Sequence, residues 1–124
     1  MAKILIVEDD QFLRDLYNEL LTEAGYTVAL APDGEDGLDK AGVGGYDLVL
    51  LDIMLPKMDG LEVLRRLRDH KPKTPNGPVV LLTNLGQDAI IKEGFSLGAT
   101  GYIIKSAMTP DQVLEEVKVF LKQT

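Results

Sequence analysis

The chain has no cysteine. That excludes a disulfide framework and any thiolate metal centre, and it suits a reducing compartment, so cytoplasm is the expected location. A long hydrophobic run is missing too: no stretch approaches the roughly 20 apolar residues that cross a bilayer. The opening MAKILIVEDD carries one lysine and a short apolar run, ILIV, stopped at once by three acids, and does not read as a signal peptide. Positive charge is scarce. A formal net charge of −7 argues against direct binding to nucleic acid or to an anionic membrane, because such binding needs a dense basic patch, and Lys118 and Lys122 are too few to make one. No repeat, linker or low-complexity segment is visible.

What remains is an ordinary globular composition, 45% hydrophobic and 27% charged over 124 residues, enough for one domain spanning 1–124 with a core of its own. Short strand-like runs alternate with longer segments of helical period, the pattern of an α/β fold with a parallel sheet. The strands are expected at Lys3 to Glu8, Thr27 to Ala31, Asp47 to Asp52, Pro78 to Thr83 and Gly101 to Lys105. The first, third and fourth are almost wholly Ile, Leu and Val inside, as strands buried on both faces should be, and the mixed second reads as an edge.

Five helices fill the gaps. Asp10 to Ala24 sets Phe12, Leu13, Leu16, Leu20 and Leu21 on one face, with Gly25 placed for a left-handed cap. A weaker helix runs from Gly34 to Ala41, before the turn-like Gly42 to Gly45. Asp59 and Glu62 form a capping box ahead of Leu61, Leu64 and Leu67. Ile90, Ile91, Phe95 and Leu97 mark a fourth helix ended by Gly98, and Thr109, Pro110 and Gln112 open a fifth that carries Val113, Leu114, Val117, Phe120 and Leu121 inward. His70 to Pro78 is a loop.

Four strands end in residues suited to a phosphoryl group: Glu8 and Asp9, Asp52, Thr83, and Lys105. In a parallel sheet, ligand sites form beyond the carboxyl ends of the strands, where strand order reverses. If the first and third strands are central neighbours, three acids, a hydroxyl and a cation meet there. Such a set can bind a divalent metal, present a carboxylate oxygen as nucleophile and stabilise the incoming charge. A solvated helix start accounts for Asp10, which reads as a cap, but not for Asp52 after four apolar residues. The glycines at 42 to 45 lack the Lys-Ser/Thr pair of a phosphate loop, and His70 has no partner nearby in sequence.

The residues VEDD, LLDIMLPKMDG around Asp52, LLT at Thr83 and GATGYIIK leading to Lys105, in this order and spacing, resemble the receiver domain of two-component response regulators, of the single-domain chemotaxis-regulator type. The resemblance runs from end to end. It implies a doubly wound, flavodoxin-like fold with five parallel strands in the order 2-1-3-4-5, an order that periodicity alone leaves open. It also implies a signalling switch without an output domain, which is not an enzyme beyond its own phosphotransfer and autodephosphorylation. Asp52 would accept a phosphoryl group from a phosphohistidine on a sensor histidine kinase or phosphotransfer protein, with Mg²⁺ held by Glu8, Asp9, Asp52 and the main-chain carbonyl of Met54. Thr83 and Lys105 would bind the phosphoryl oxygens. Tyr102, at the switch position, would turn inward and remodel a face that binds a downstream protein or a second copy. The side chains flanking the water that removes the phosphoryl group would be Met54 and Leu85, both apolar, which implies a long-lived phosphoprotein.

Two positions depart from the family. Ser106 follows the lysine where the family usually has proline after a cis bond, and a cis bond before serine is far costlier, which leaves the Lys105–Ser106 geometry open. Asn84 stands where a small residue is common, so the approach to the site should be more crowded. Three other functions compete. A haloacid dehalogenase-like phosphatase wants a second acid two residues after the nucleophile, where this chain has Met54. A flavodoxin-like nucleotide carrier would set its phosphate against Glu8, Asp9 and Asp10. A degenerate receiver acting as a non-phosphorylated scaffold would not need all five site residues.

Overall fold

The computed structural model describes residues 2–84 and 87–122. Strands β1 (Lys3–Val7), β2 (Thr27–Ala31), β3 (Leu48–Asp52), β4 (Val79–Thr83) and β5 (Gly101–Ile104) form one sheet in the order β2-β1-β3-β4-β5. Every pairing is parallel, with Ile4 opposite both Val28 and Leu48, Leu50 opposite Val80, and Leu82 opposite Ile103. The strands alternate with α1 (Gln11–Glu23), α2 (Gly34–Val43), α3 (Gly60–Asp69), α4 (Asp88–Ser96) and α5 (Pro110–Lys122).

The unbroken Ile, Leu and Val of β1, β3 and β4 follow from burial on both faces. Alternate residues feed two cores: Leu5, Val7, Val49, Leu51 and Leu81 pack beneath α2, α3 and α4, while Ile4, Ile6, Leu48, Leu50, Val80 and Leu82 pack against α1 and α5. A register slip of one residue would exchange the two sets. β2 is the mixed edge strand expected, buried only at Ala31.

Several strand ends are shorter than expected. Pro78 has no N–H for the ladder, so β4 starts at Val79, and Lys105 leaves β5 in a 3-10 turn over Lys105–Ala107. Among the described residues no peptide bond is cis, which answers the question raised by Ser106.

Most caps are as the sequence predicts. Asp10 accepts the Leu13 N–H at 3.1 Å, Gly25 takes φ +97°, and Thr109 and Gln112 close a reciprocal box at 2.8 and 3.3 Å. At α3 only half of the box forms. Asp59 accepts the Glu62 N–H at 2.9 Å, but Glu62 turns to Arg65 and Arg66, since two guanidiniums outcompete one main-chain donor. The inner stripe of α1 also differs. It runs through Leu13, Tyr17 and Leu21 at four-residue spacing, leaving Phe12 73% exposed at the site end of the helix. Phe95 of α4 is likewise exposed, and α2 continues through Gly42, so the turn begins at Gly44.

Candidate functional site

Strand order reverses between β1 and β3, and the carboxyl ends there carry the acids. Just past β1, Glu8 is fully buried, its N–H donating to Ala31 O at 3.0 Å. Asp52 closes β3 and is 3% exposed, and Thr83 closes β4. One ammonium joins the acids: Lys105 Nζ lies 2.6 Å from Asp52 Oδ2 and 2.9 Å from Glu8 Oε1. The other Asp52 oxygen accepts the Met54 N–H at 3.1 Å, and Glu8 Oε2 accepts the Asp10 N–H at 3.2 Å. Both buried carboxylates thus have donors on each oxygen, as burial of charge requires.

The loop after Asp52 fixes the backbone beneath that residue. Gly60 donates to Ile53 O at 2.8 Å and lies so close to the sheet that a Cβ there would stand 2.4 Å from Asp52 O. The intervening loop rests on α2: Asp33 pairs with Lys57 at 3.6 Å, and a Cβ on Gly34 would strike the Met58 carbonyl at 1.7 Å.

Burial and the neighbouring Asp52 carboxylate push the Glu8 carboxyl above its ordinary range. Partial burial and the Glu8 carboxylate do the same to Asp9. Burial alone would lower the Lys105 ammonium, yet its hydrogen bonds to Asp52 and Glu8 prevail and hold it above its ordinary value. It is therefore a fixed positive charge. Two buried carboxylates against one ammonium, with Asp9 beside them, leave an excess of negative charge. One oxygen each from Glu8, Asp9 and Asp52 lie within 4.8 Å of one another. Hard oxygen donors with no nitrogen or sulfur suit a magnesium-type divalent ion.

The side chains of the remaining expected residues have other partners or face solvent. The Thr83 hydroxyl, though buried at the same edge, donates to Gln87 Oε1, with a weaker contact to Asn84 O at 3.3 Å. Tyr102 lies outward, 45% exposed, its ring edge-on to Phe95 with centroids 6.2 Å apart. Met54 is 60% exposed beside Asp52, and Asn84 is exposed too, whereas Leu85 lies outside the described residues.

Two residues escaped the sequence reading. Arg14 donates to the carbonyls of Glu8 at 2.9 Å and Asp9 at 3.3 Å, clamping the acid loop from the first turn of α1. Its spacing after Asp10 was the available signal, but an arginine there is ordinarily solvated. Gln87 is the other.

Among the described residues no helix is long and apolar enough to cross a membrane. A family model described as the response regulator receiver domain matches residues 4–118. The chain is 41% identical over 122 residues to the transcriptional regulatory protein DltR of Streptococcus agalactiae, covering 98% of this chain and 53% of that protein. It is 36% identical to the transcriptional regulatory protein ResD of Bacillus subtilis, covering 98% and 49%. The chain thus spans about half the length of the curated relatives it matches. Among solved structures, a CheY-like receiver domain protein from Methanospirillum hungatei superposes with a TM-score of 0.86 at 30% identity, covering 99% of this chain and 95% of that one. Chemotaxis protein CheY4 of Vibrio cholerae gives 0.83 at 31%, covering 97% and 98%. With this sheet order, this site at its reversal and a sequence match over nearly all its length, the chain belongs to the response regulator receiver domain family.

Proposed function

We propose that the chain, as one receiver domain over 1–124, takes a phosphoryl group onto Asp52 from a phosphohistidine of a sensor histidine kinase or phosphotransfer protein. The observation that carries this reading is the bridge from Lys105 to both Asp52 and Glu8 at the point of strand reversal. An Asp52 carboxylate oxygen attacks phosphorus, an acyl phosphate bond forms, and the phosphorus–nitrogen bond breaks with its electron pair going to nitrogen, so that a phosphohistidine protonated on its other ring nitrogen leaves as neutral imidazole. Little covalent help is needed for such a transfer; alignment and neutralisation of charge dominate. Glu8, Asp9, Asp52 and the Met54 carbonyl would hold Mg²⁺, which would supply positive charge against the negative charge gathered at the site. Met54 N–H keeps the carboxylate plane fixed. Lys105, already between two carboxylates, follows the charge onto the phosphoryl group, and Thr83 donates its hydroxyl to a phosphoryl oxygen.

Tyr102 then leaves Phe95 and turns inward, changing the face made by α4, β5 and α5. That face binds a downstream protein or a second copy of the chain, without direct contact to nucleic acid or membrane. The protein is a cytoplasmic switch and turns over no substrate besides its own phosphoryl group. Acetyl phosphate or phosphoramidate with Mg²⁺ should add one phosphoryl group by intact mass, and Asp52→Asn should abolish it. Undiminished labelling of that variant moves the acceptor elsewhere.

A further inference from the structure

Gln87 caps the backbone of α4 but does not cap it with its side chain. Its main-chain carbonyl accepts the Ile91 N–H at 3.0 Å, opening the helix. Its side chain folds back instead, and Oε1 accepts from the Thr83 hydroxyl and, at 3.1 Å, from the Asn84 N–H. The assignment of oxygen rather than nitrogen follows from chemistry, because a main-chain N–H can only donate. With Oε1 taken by that donor, the Thr83 hydroxyl donates to it too. One carbonyl oxygen therefore occupies a two-donor cradle at the buried end of β4, next to the strand that carries Asp52.

A phosphoryl oxygen is a stronger acceptor than an amide oxygen, since it is charged. On the reading of Asp52 as acceptor, such an oxygen arrives beside this cradle and competes for its donors. We propose that Gln87 is a positioning residue: its side-chain oxygen holds Thr83 and Asn84 in the unphosphorylated arrangement, and the phosphoryl group displaces it. Because the same residue begins α4, losing its grip on Thr83 frees the first turn of that helix. The route from Asp52 to the outer face then has a named first link, made of two hydrogen bonds that must break.

The displaced oxygen is a cost charged against phosphorylation, so removing it should favour the phosphoryl-bound state. Gln87→Met keeps the length and lacks the oxygen; Gln87→Glu keeps an acceptor and adds negative charge. Beryllofluoride with Mg²⁺, which mimics the phosphoryl group on an aspartate, is titrated into the full chain and followed by backbone NMR. Gln87→Met should bind tighter than the parent by roughly three- to tenfold, the range expected when one or two net hydrogen bonds no longer compete. Its Asn84 amide proton should already lie upfield in the unliganded protein, as lost hydrogen bonding requires. Gln87→Glu should keep the Asn84 amide proton at or downfield of its parental shift, as a charged acceptor requires, and bind more weakly. If the methionine variant does not fold, Gln87→Ala serves with the same expectation. A parent that binds and a methionine variant that binds no tighter, or more weakly, overturns the role of Gln87 alone. A parent that binds no beryllofluoride overturns the Asp52 reading and the displacement with it.

Discussion

The two ends of the sheet treat polar groups in opposite ways. At the amino end the contacts tie one segment to the next: Lys3 N–H donates to Asp47 Oδ2 at 2.7 Å, Asn76 accepts from Tyr46 N–H at 3.1 Å and donates to Ala41 O at 2.9 Å, and Gly77 N–H donates to Tyr46 O at 2.6 Å. The charges there, Lys3 and Asp47, face water, with Lys3 over the Tyr46 ring. At the carboxyl end two carboxylates, Glu8 and Asp52, are buried and share one counter-ion. Stability accounts for the first end. It does not account for the second, because burying carboxylates is costly and an apolar replacement would serve packing as well.

Chemistry should break the comparison most sharply. Asp52→Asn should lose phosphorylation entirely, while Asp47→Asn, an aspartate on the same strand run at the other end, should be labelled like the parent; equal loss in both would reduce the effect to folding. Next in size is the counter-ion. Lys105→Met leaves two buried carboxylates facing each other and should cost about 3 kcal/mol in chemical denaturation, whereas Lys3→Met should cost about 0.5 kcal/mol. Comparable costs at the two ends would show that the Lys105 bridge is worth no more than a surface contact. A smaller change concerns signal lifetime. Met54 stands exposed beside Asp52 and cannot orient a water, so Met54→Asn should speed phosphate loss by about tenfold, or 1.4 kcal/mol of barrier. A phosphoprotein of unchanged half-life would remove water positioning at this residue from the account.

The subtlest difference is in pH dependence. Burial, then Asp52, raises the Glu8 carboxyl above its ordinary 4.5, so from that pH upward to its folded value the folded protein holds more protons than the unfolded one. Stability of the metal-free protein should therefore fall as pH rises through this window. Asp33, lowered by the Asp36 N–H and then Lys57, and Glu62, lowered by Arg66 and Arg65, act with the opposite sign and lose their contribution as pH falls. Glu8→Gln should flatten the decline of the thermal midpoint in chelator-treated protein above pH 4.5. A decline as steep as the parent's would assign it to other groups.

Much of this molecule is legible in the sequence because buried parallel strands leave a plain trace. Runs such as LVLL and VVLL can sit only where both faces are covered, and an acid or hydroxyl directly after them marks the strand's end. Glu8, Asp9, Asp52, Thr83 and Lys105 were placed together on that ground. Strand order was not, since Leu and Val pair equally well with any neighbour; it came with the family resemblance. Side-chain choices between two good partners were also hidden. Glu62 could cap its helix or bind arginines, and Phe12 looked as apolar as the Tyr17 that took the inward place. Gln87 gave no signal, because a glutamine at a helix start is usually solvated, and its partners are Thr83 at the end of β4 and the Asn84 N–H.

The approach of Gly60 to the carbonyl of Asp52 sets a condition on the loop between them. Surface loops ordinarily accept insertions, since extra residues bulge into water at small cost. This one is a spacer of fixed gauge, leaving the sheet at Asp52 and returning to brace the backbone of Asp52 and Ile53. An added residue would spare the core on both faces and still shift the Asp52 backbone, and with it the carboxylate that we propose as the phosphoacceptor. Length here is part of the site, as much as any side chain in it.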